Sequence, residues 1–300
     1  MGVNNSYVQV SKRETIMKEL TSSSFVDDFV FLEGPRWNGG KLWVSDMFGN
    51  TVYTITPDGE RTAMATLPNR PSGINFMPDG SVVVVSMADR KLMTLAEDGS
   101  LSEYADLSAN LEYDINDCVC APNGNIYVGT FGYDVFAHEE PKPATLTLVR
   151  TDGTIQTVAE DMHFPNGACI TPDGKTLIVA ETFVGRITAF TIEADGTLSG
   201  RRVFADLGAY TPDGICLDAE GAVWVAAFEN GEFIRVLDGG EITHKIDTGD
   251  RRAVACNLGG ADGKTLYCLI YDGNLDDIPE GKRNAIIETA TVDVAGAGSP

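Results

Sequence analysis

Glu33-Gly34-Pro35-Arg36-Trp37-Asn38-Gly39-Gly40-Lys41-Leu42-Trp43-Val44-Ser45-Asp46 reads as two short apolar runs folded about a Gly-Gly turn. Such a hairpin is common in isolation, but this one recurs. A turn ending in glycine, followed by a short apolar strand, is found at residues 40–46, 80–86, 124–130, 174–181, 221–227 and 263–270. The steps between turn glycines are 40, 44, 50, 47 and 42 residues. Four of the turns read Asp-Gly or Asn-Gly, which supply the positive φ angles a tight hairpin needs. A second run precedes each turn, at 33–37, 72–77, 116–121, 166–171, 213–218 and 254–258. Outer turns at Pro57-Asp58-Gly59, Glu97-Asp98-Gly99, Thr151-Asp152-Gly153 and Ala194-Asp195-Gly196 bring the count to about four strands per unit. Repeats of this period stack their sheets around a centre. The expectation is an all-β, six-bladed β-propeller of four-stranded antiparallel blades, formed as one domain over residues 1–300.

Residues 285–292 are expected to supply a late strand of the last blade, and residues 15–20 its outermost strand, so that both termini latch one blade and protect its edges. Residues 131–145, with Pro141 and Pro143, are the longest strandless stretch and read as a lid or rim loop.

Composition narrows the function. A formal charge of −22 argues against a nucleic-acid partner, because phosphate binding needs clustered Lys and Arg. The N-terminus lacks the basic and apolar stretches of a secretory signal, and no apolar run is long enough to span a membrane, so a cytoplasmic protein without membrane contact is expected. Asn4-Asn5-Ser6 matches a glycosylation acceptor that such a context leaves unused. Cys118, Cys120, Cys169, Cys216, Cys256 and Cys268 lie in apolar runs without metal or redox spacing and read as reduced core thiols.

The first strand of each blade lines a propeller's channel, so equivalent positions form a ring. Aligned on the turns, that column holds Glu33, Ser72, Asn116, Asn166, Asp213 and Val254. Four of the six carry oxygen donors, two carboxylates and two amides, with no Cys or His. Hard donors of this kind suit one divalent cation, Ca²⁺ favoured, with Mg²⁺, Mn²⁺ or Zn²⁺ as alternatives. A cation would also offset the cost of facing buried carboxylates. Glu33, Asn116, Asn166 and Asp213 are therefore the candidate metal ligands, with Asp117 and Glu181 as candidate supports.

These same residues carry a resemblance. Phe31-Leu32-Glu33-Gly34-Pro35-Arg36-Trp37 with Leu42-Trp43-Val44-Ser45-Asp46 resembles the first blade of the SMP-30/gluconolactonase/luciferin-regenerating family. Asn116-Asp117 resembles its third blade, Phe164-Pro165-Asn166-Gly167 its fourth, Pro212-Asp213-Gly214-Ile215-Cys216-Leu217-Asp218 its fifth and Cys256-Asn257-Leu258-Gly259-Gly260 its sixth. The resemblance implies a divalent ion held at Glu33, Asn166 and Asp213, with Asn116 beside it as ligand or substrate contact. It implies hydrolysis of a lactone, with relatives that act on phosphotriesters. One position departs: many sugar-lactonase members carry a substrate-contacting Arg two residues before the third-blade Asn, where this chain has Asp114. A carboxylate cannot donate hydrogen bonds to sugar hydroxyls, which argues against gluconolactone itself.

The expected reaction is opening of a cyclic ester on a small-molecule substrate. The cation polarises the carbonyl, and Asp213, or the ion itself, activates the attacking water. Asn116, Asp114 and Asp117 are the candidate substrate contacts. A phosphotriester or aryl-ester hydrolase on the same ion, and a non-catalytic binding propeller, are the other readings the sequence carries. No Gly-x-Ser-x-Gly elbow is present to support a serine nucleophile. His163, three residues before Asn166, is read as a surface or packing residue, and Trp37, Trp43 and Trp224 as core.

Overall fold

The computed structural model describes residues 17–298. Their strands form six sheets arranged around a common axis. Within blades 1 to 5 the strands run from the axis outward in chain order, starting from Leu32–Asn38, Pro71–Phe76, Ile115–Cys120, Pro165–Ile170 and Pro212–Leu217. Each of these inner strands packs against the next, and the sixth, Arg252–Gly259, packs against the first, closing the ring. The chain is thus an all-β six-bladed propeller built on four-stranded antiparallel blades.

The burial of each strand follows from its place in a blade. Second strands are sandwiched by sheets on both faces, so Val82–Ser86 and Val223–Ala227 are almost continuously apolar and buried. Outermost strands such as Arg61–Thr66 and Leu101–Asp106 face solvent and carry charged residues.

Closure differs from the expectation in one respect. The outer strand of the sixth blade is Ser23–Phe29, paired antiparallel with Ala285–Thr291. Lys18–Leu20 instead pairs in parallel with Ile242–Asp247 and becomes a fifth strand of blade 5. Ser23–Phe29 is mostly exposed, so its polar sequence hides the alternation that marks half-buried strands. Residues 15 and 16, and the Asn4 sequon, lie outside the described residues. The C-terminal segment returns from blade 6 to blade 5, where Gly296 bridges Asp218 and the Ala297 amide donates to the Leu217 carbonyl.

One irregularity repeats in every blade. The pairing of inner and second strand slips between Glu33 and Arg36, Pro71 and Ile74, Ile115 and Cys118, Pro165 and Ala168, Pro212 and Ile215, and Ala253 and Ala255. A bulge turns a side chain out of the pleat and bends the strand. The six slips fall at the column of residues expected to face the axis. Small residues just beyond that column let the inner strands meet: a Cβ on Gly167 would stand 2.5 Å from the Ile215 amide nitrogen.

Candidate functional site

The bulges bring Glu33, Asn116, Asn166 and Asp213 together at the floor of one cavity of about 410 Å³. All four are less than a tenth exposed. The amides are tied in a chain. Ser72 Oγ donates to Asn116 Oδ1 at 3.3 Å, Asn116 Nδ2 to Asn166 Oδ1 at 2.9 Å, and Asn166 Nδ2 to Thr182 Oγ1 at 3.3 Å. Val254, the sixth member of the column, is buried and offers no donor.

The two carboxyls are not compensated in the same way. Among the described residues Asp213 Oδ1 is buried with no hydrogen-bond partner. Burial, reinforced by the Asp117 carboxylate, pushes the Asp213 carboxyl well above its ordinary range, and the Asn166 amide opposes this only in part. Burial likewise raises Glu33, with Asp213 and then Asp117 adding repulsion. An orphaned carboxylate oxygen facing a second buried carboxyl is costly unless a cation lies between them. Two carboxylates and an amide oxygen are hard donors suited to Ca²⁺, Mg²⁺ or Mn²⁺. The residues therefore fit a divalent cation held by Glu33, Asn166 and Asp213, with Asn116 orienting Asn166. Among the described residues no three His, Cys, Asp or Glu side chains group as a metal cluster, so any such site has to draw on amides.

Beside this ring lies a buried ion pair. Arg36 Nη2 donates to Asp117 Oδ1 at 2.9 Å and to the Cys118 carbonyl at 3.1 Å, and both side chains are nearly buried. Asp117 lies over Gly73, where a Cβ would stand 2.5 Å from its Oδ1. It thus acts on the ring through its charge, and it does not line the cavity. Asp114 is also outside the cavity lining: it accepts from Arg70 Nη2 at 2.7 Å. Glu181, fully buried, is engaged by the Arg186 guanidinium, the Thr188 hydroxyl and the His163 amide. Its role is to hold the end of its strand, from which the short turn Thr182–Val184 presents Thr182 to the ring. His163 is exposed, and it is His138 that lines the cavity.

The walls were not foreseen. Seven phenylalanines line the cavity, along with Met47, Val135 and Ile278. The strandless stretch after Thr130 contributes Phe131, Val135, Phe136 and His138, the rim role expected of it. Trp37, half-buried, stacks on Tyr267 at 5.5 Å against the core, and Trp224 is buried within it.

Fold and site together define a β-propeller with an oxygen-donor cluster on its axis, at the base of an apolar cavity. Residues 31–270 match the model of the SMP-30/Gluconolactonase/LRE-like region. The chain belongs to the SMP-30/gluconolactonase/LRE-like family. It is 24% identical over 277 residues to the pentonolactonase XacC of Haloferax volcanii, covering 89% of this chain and 92% of that protein. It is 24% identical to the lactonase drp35 of Staphylococcus epidermidis, covering 74% and 71% of the two chains. Among solved structures, the calcium-binding protein regucalcin from Agrobacterium tumefaciens superposes with a TM-score of 0.80 at 22% identity, covering 95% and 99%. A luciferin-regenerating enzyme superposes with a TM-score of 0.78 at 21% identity, covering 90% and 94%. Family membership makes this chain a lactonase-type protein by distant relationship.

Proposed function

We propose that the protein is a divalent-metal-dependent hydrolase that opens a lactone, with Asp213 as the base. The observation that carries this reading is the buried, unpartnered Asp213 Oδ1 beside Glu33 and Asn166 at the floor of a substrate-sized cavity. A cation bound there supplies fixed positive charge against the carbonyl oxygen and the negative charge that grows on it during attack. Asp213 takes the proton from the attacking water and returns it to the ring oxygen as the C–O bond breaks. Asn116 and Thr182, linked through Asn166, fix that amide's orientation. The apolar walls exclude bulk water, which strengthens every charge interaction at the floor.

The test is hydrolysis of a panel of lactones, an aryl ester and a phosphotriester by protein stripped with EDTA, before and after return of Ca²⁺ or Mn²⁺. The reading expects metal-restored turnover of a lactone and its loss in Asp213→Ala. Turnover that survives EDTA, or an active Asp213→Ala, overturns it.

A further inference from the structure

We propose that the substrate is an uncharged cyclic ester with an apolar, aromatic body, and not a polyhydroxylated sugar lactone. The proposal rests on the hydrolytic reading of the axis and adds the class of molecule that the walls accept.

Six of the cavity's phenylalanines form a continuous belt. Ring centroids are separated by 6.4 Å from Phe31 to Phe48, 5.9 Å from Phe48 to Phe136 and 6.2 Å from Phe136 to Phe131. They are separated by 4.6 Å from Phe131 to Phe164 and 4.7 Å from Phe164 to Phe183. These spacings are those of packed aromatic pairs, and the belt presents ring faces and edges to whatever enters. Its outer members are exposed: Phe183 is 54% accessible and Phe136 45%. Leu275, at 36%, stands at the same mouth. Large apolar side chains left in water around a concavity mark a surface that a ligand covers.

Polar groups occur at the floor and in a few other lining positions, Thr211, His138, Glu229 and Asp276. Among the described residues no Lys or Arg lines the cavity, and Glu229 and Asp276 would repel an anion. Arg70, beside Phe136, is engaged elsewhere. Its guanidinium pairs with Asp114 and lies 4.3 Å from the Phe136 ring centroid, propping that ring from outside. A sugar lactone would carry several hydroxyls against the phenylalanine belt, which offers them no partner, at roughly tenfold in affinity for each one left unpaired. An aromatic body loses nothing there and gains area against the belt.

The experiment compares γ-phenyl-γ-butyrolactone, unsubstituted γ-butyrolactone and D-glucono-1,5-lactone with the metal-loaded enzyme. The phenyl lactone is expected to exceed gluconolactone in kcat/KM by about a hundredfold. Gluconolactone turned over equally well or better overturns the proposal. Phe183→Ser and Phe136→Ser are expected to lower the ratio of kcat/KM for the phenyl lactone to that for γ-butyrolactone by about tenfold; an unchanged ratio counts against it. If no lactone is hydrolysed, the hydrolytic reading fails, and the wall is judged separately by calorimetry with non-hydrolysable lactams. Binding of 5-phenylpyrrolidin-2-one with no detectable binding of D-gluconolactam supports the proposal. The reverse order, or no binding of the phenyl lactam, overturns it.

Discussion

Asp213→Asn separates a residue kept for metal binding from one kept for the fold, because the two roles predict opposite signs. In the metal-free protein the Asp213 carboxyl is buried, one oxygen has no partner, and its neighbours Glu33 and Asp117 carry the same sign. Asparagine keeps the shape and removes the charge. A buried group without a partner costs more when it is charged than when it is neutral, and removing the charge is worth about 1–3 kcal/mol here. At about 2–4 °C per kcal/mol for a chain of this order of size, Asp213→Asn melts roughly 2–12 °C above wild type in EDTA. Ca²⁺ reverses the order. At a hundred times its Kd it stabilises wild type by about 2.7 kcal/mol, whereas the variant, lacking a ligand, gains little. Thermal melts of both proteins across a Ca²⁺ titration, with turnover measured on the same samples, test the whole pattern. A variant less stable than wild type in EDTA, or one stabilised by Ca²⁺ to the same extent, would refute the reasoning.

Three further outcomes follow from the same geometry. Because the folded Glu33 and Asp213 carboxyls are raised above their ordinary values, the metal-free native state binds more protons than the unfolded chain between those limits. That part of its stability is therefore present at low pH and lost as pH rises. The EDTA melting gap between Asp213→Asn and wild type should narrow from pH 8 to pH 5, and a gap independent of pH contradicts this. A Cβ at Gly167 would stand 2.5 Å from the Ile215 amide nitrogen and 2.8 Å from the Asp213 carbonyl oxygen. Gly167→Ala thus forces two inner strands apart beside the site, costing about 1–3 kcal/mol and weakening the Ca²⁺-induced rise in melting temperature; a wild-type melt and rise contradict it. Five of the six cysteines are buried, and burial pushes the part-buried Cys120 thiol up to about 11, so native protein at pH 8 should give at most one thiol to a disulfide reagent. Fast reaction of two or more contradicts the packing.

The ring was legible because it depends on something that sequence records directly. Turn glycines fix the hairpin register, and register fixes which residue of each inner strand meets the axis, so Glu33, Asn116, Asn166 and Asp213 could be aligned across large separations. Other features depend on contacts between blades, which spacing does not carry. Asp114 sits two residues before the ring in blade 3, and Arg70 two residues before it in blade 2; only the folded ring shows that they satisfy each other. The phenylalanine belt was missed because an apolar residue in a strand or loop reads as core, and Phe131 and Phe164 are indeed buried. What distinguishes the belt is the exposure of Phe136 and Phe183, which only coordinates reveal. Thr182 had one available signal, its position directly after Glu181 at the end of a blade 4 strand.

Crystals grown with Mn²⁺ test, without reference to any substrate, whether Glu33, Asn166 and Asp213 close on one cation. An anomalous difference map collected from them should show one strong peak on the propeller axis, with oxygens of all three residues at about 2.0–2.6 Å. A map with no peak there, while the three side chains keep the arrangement described, would contradict the account.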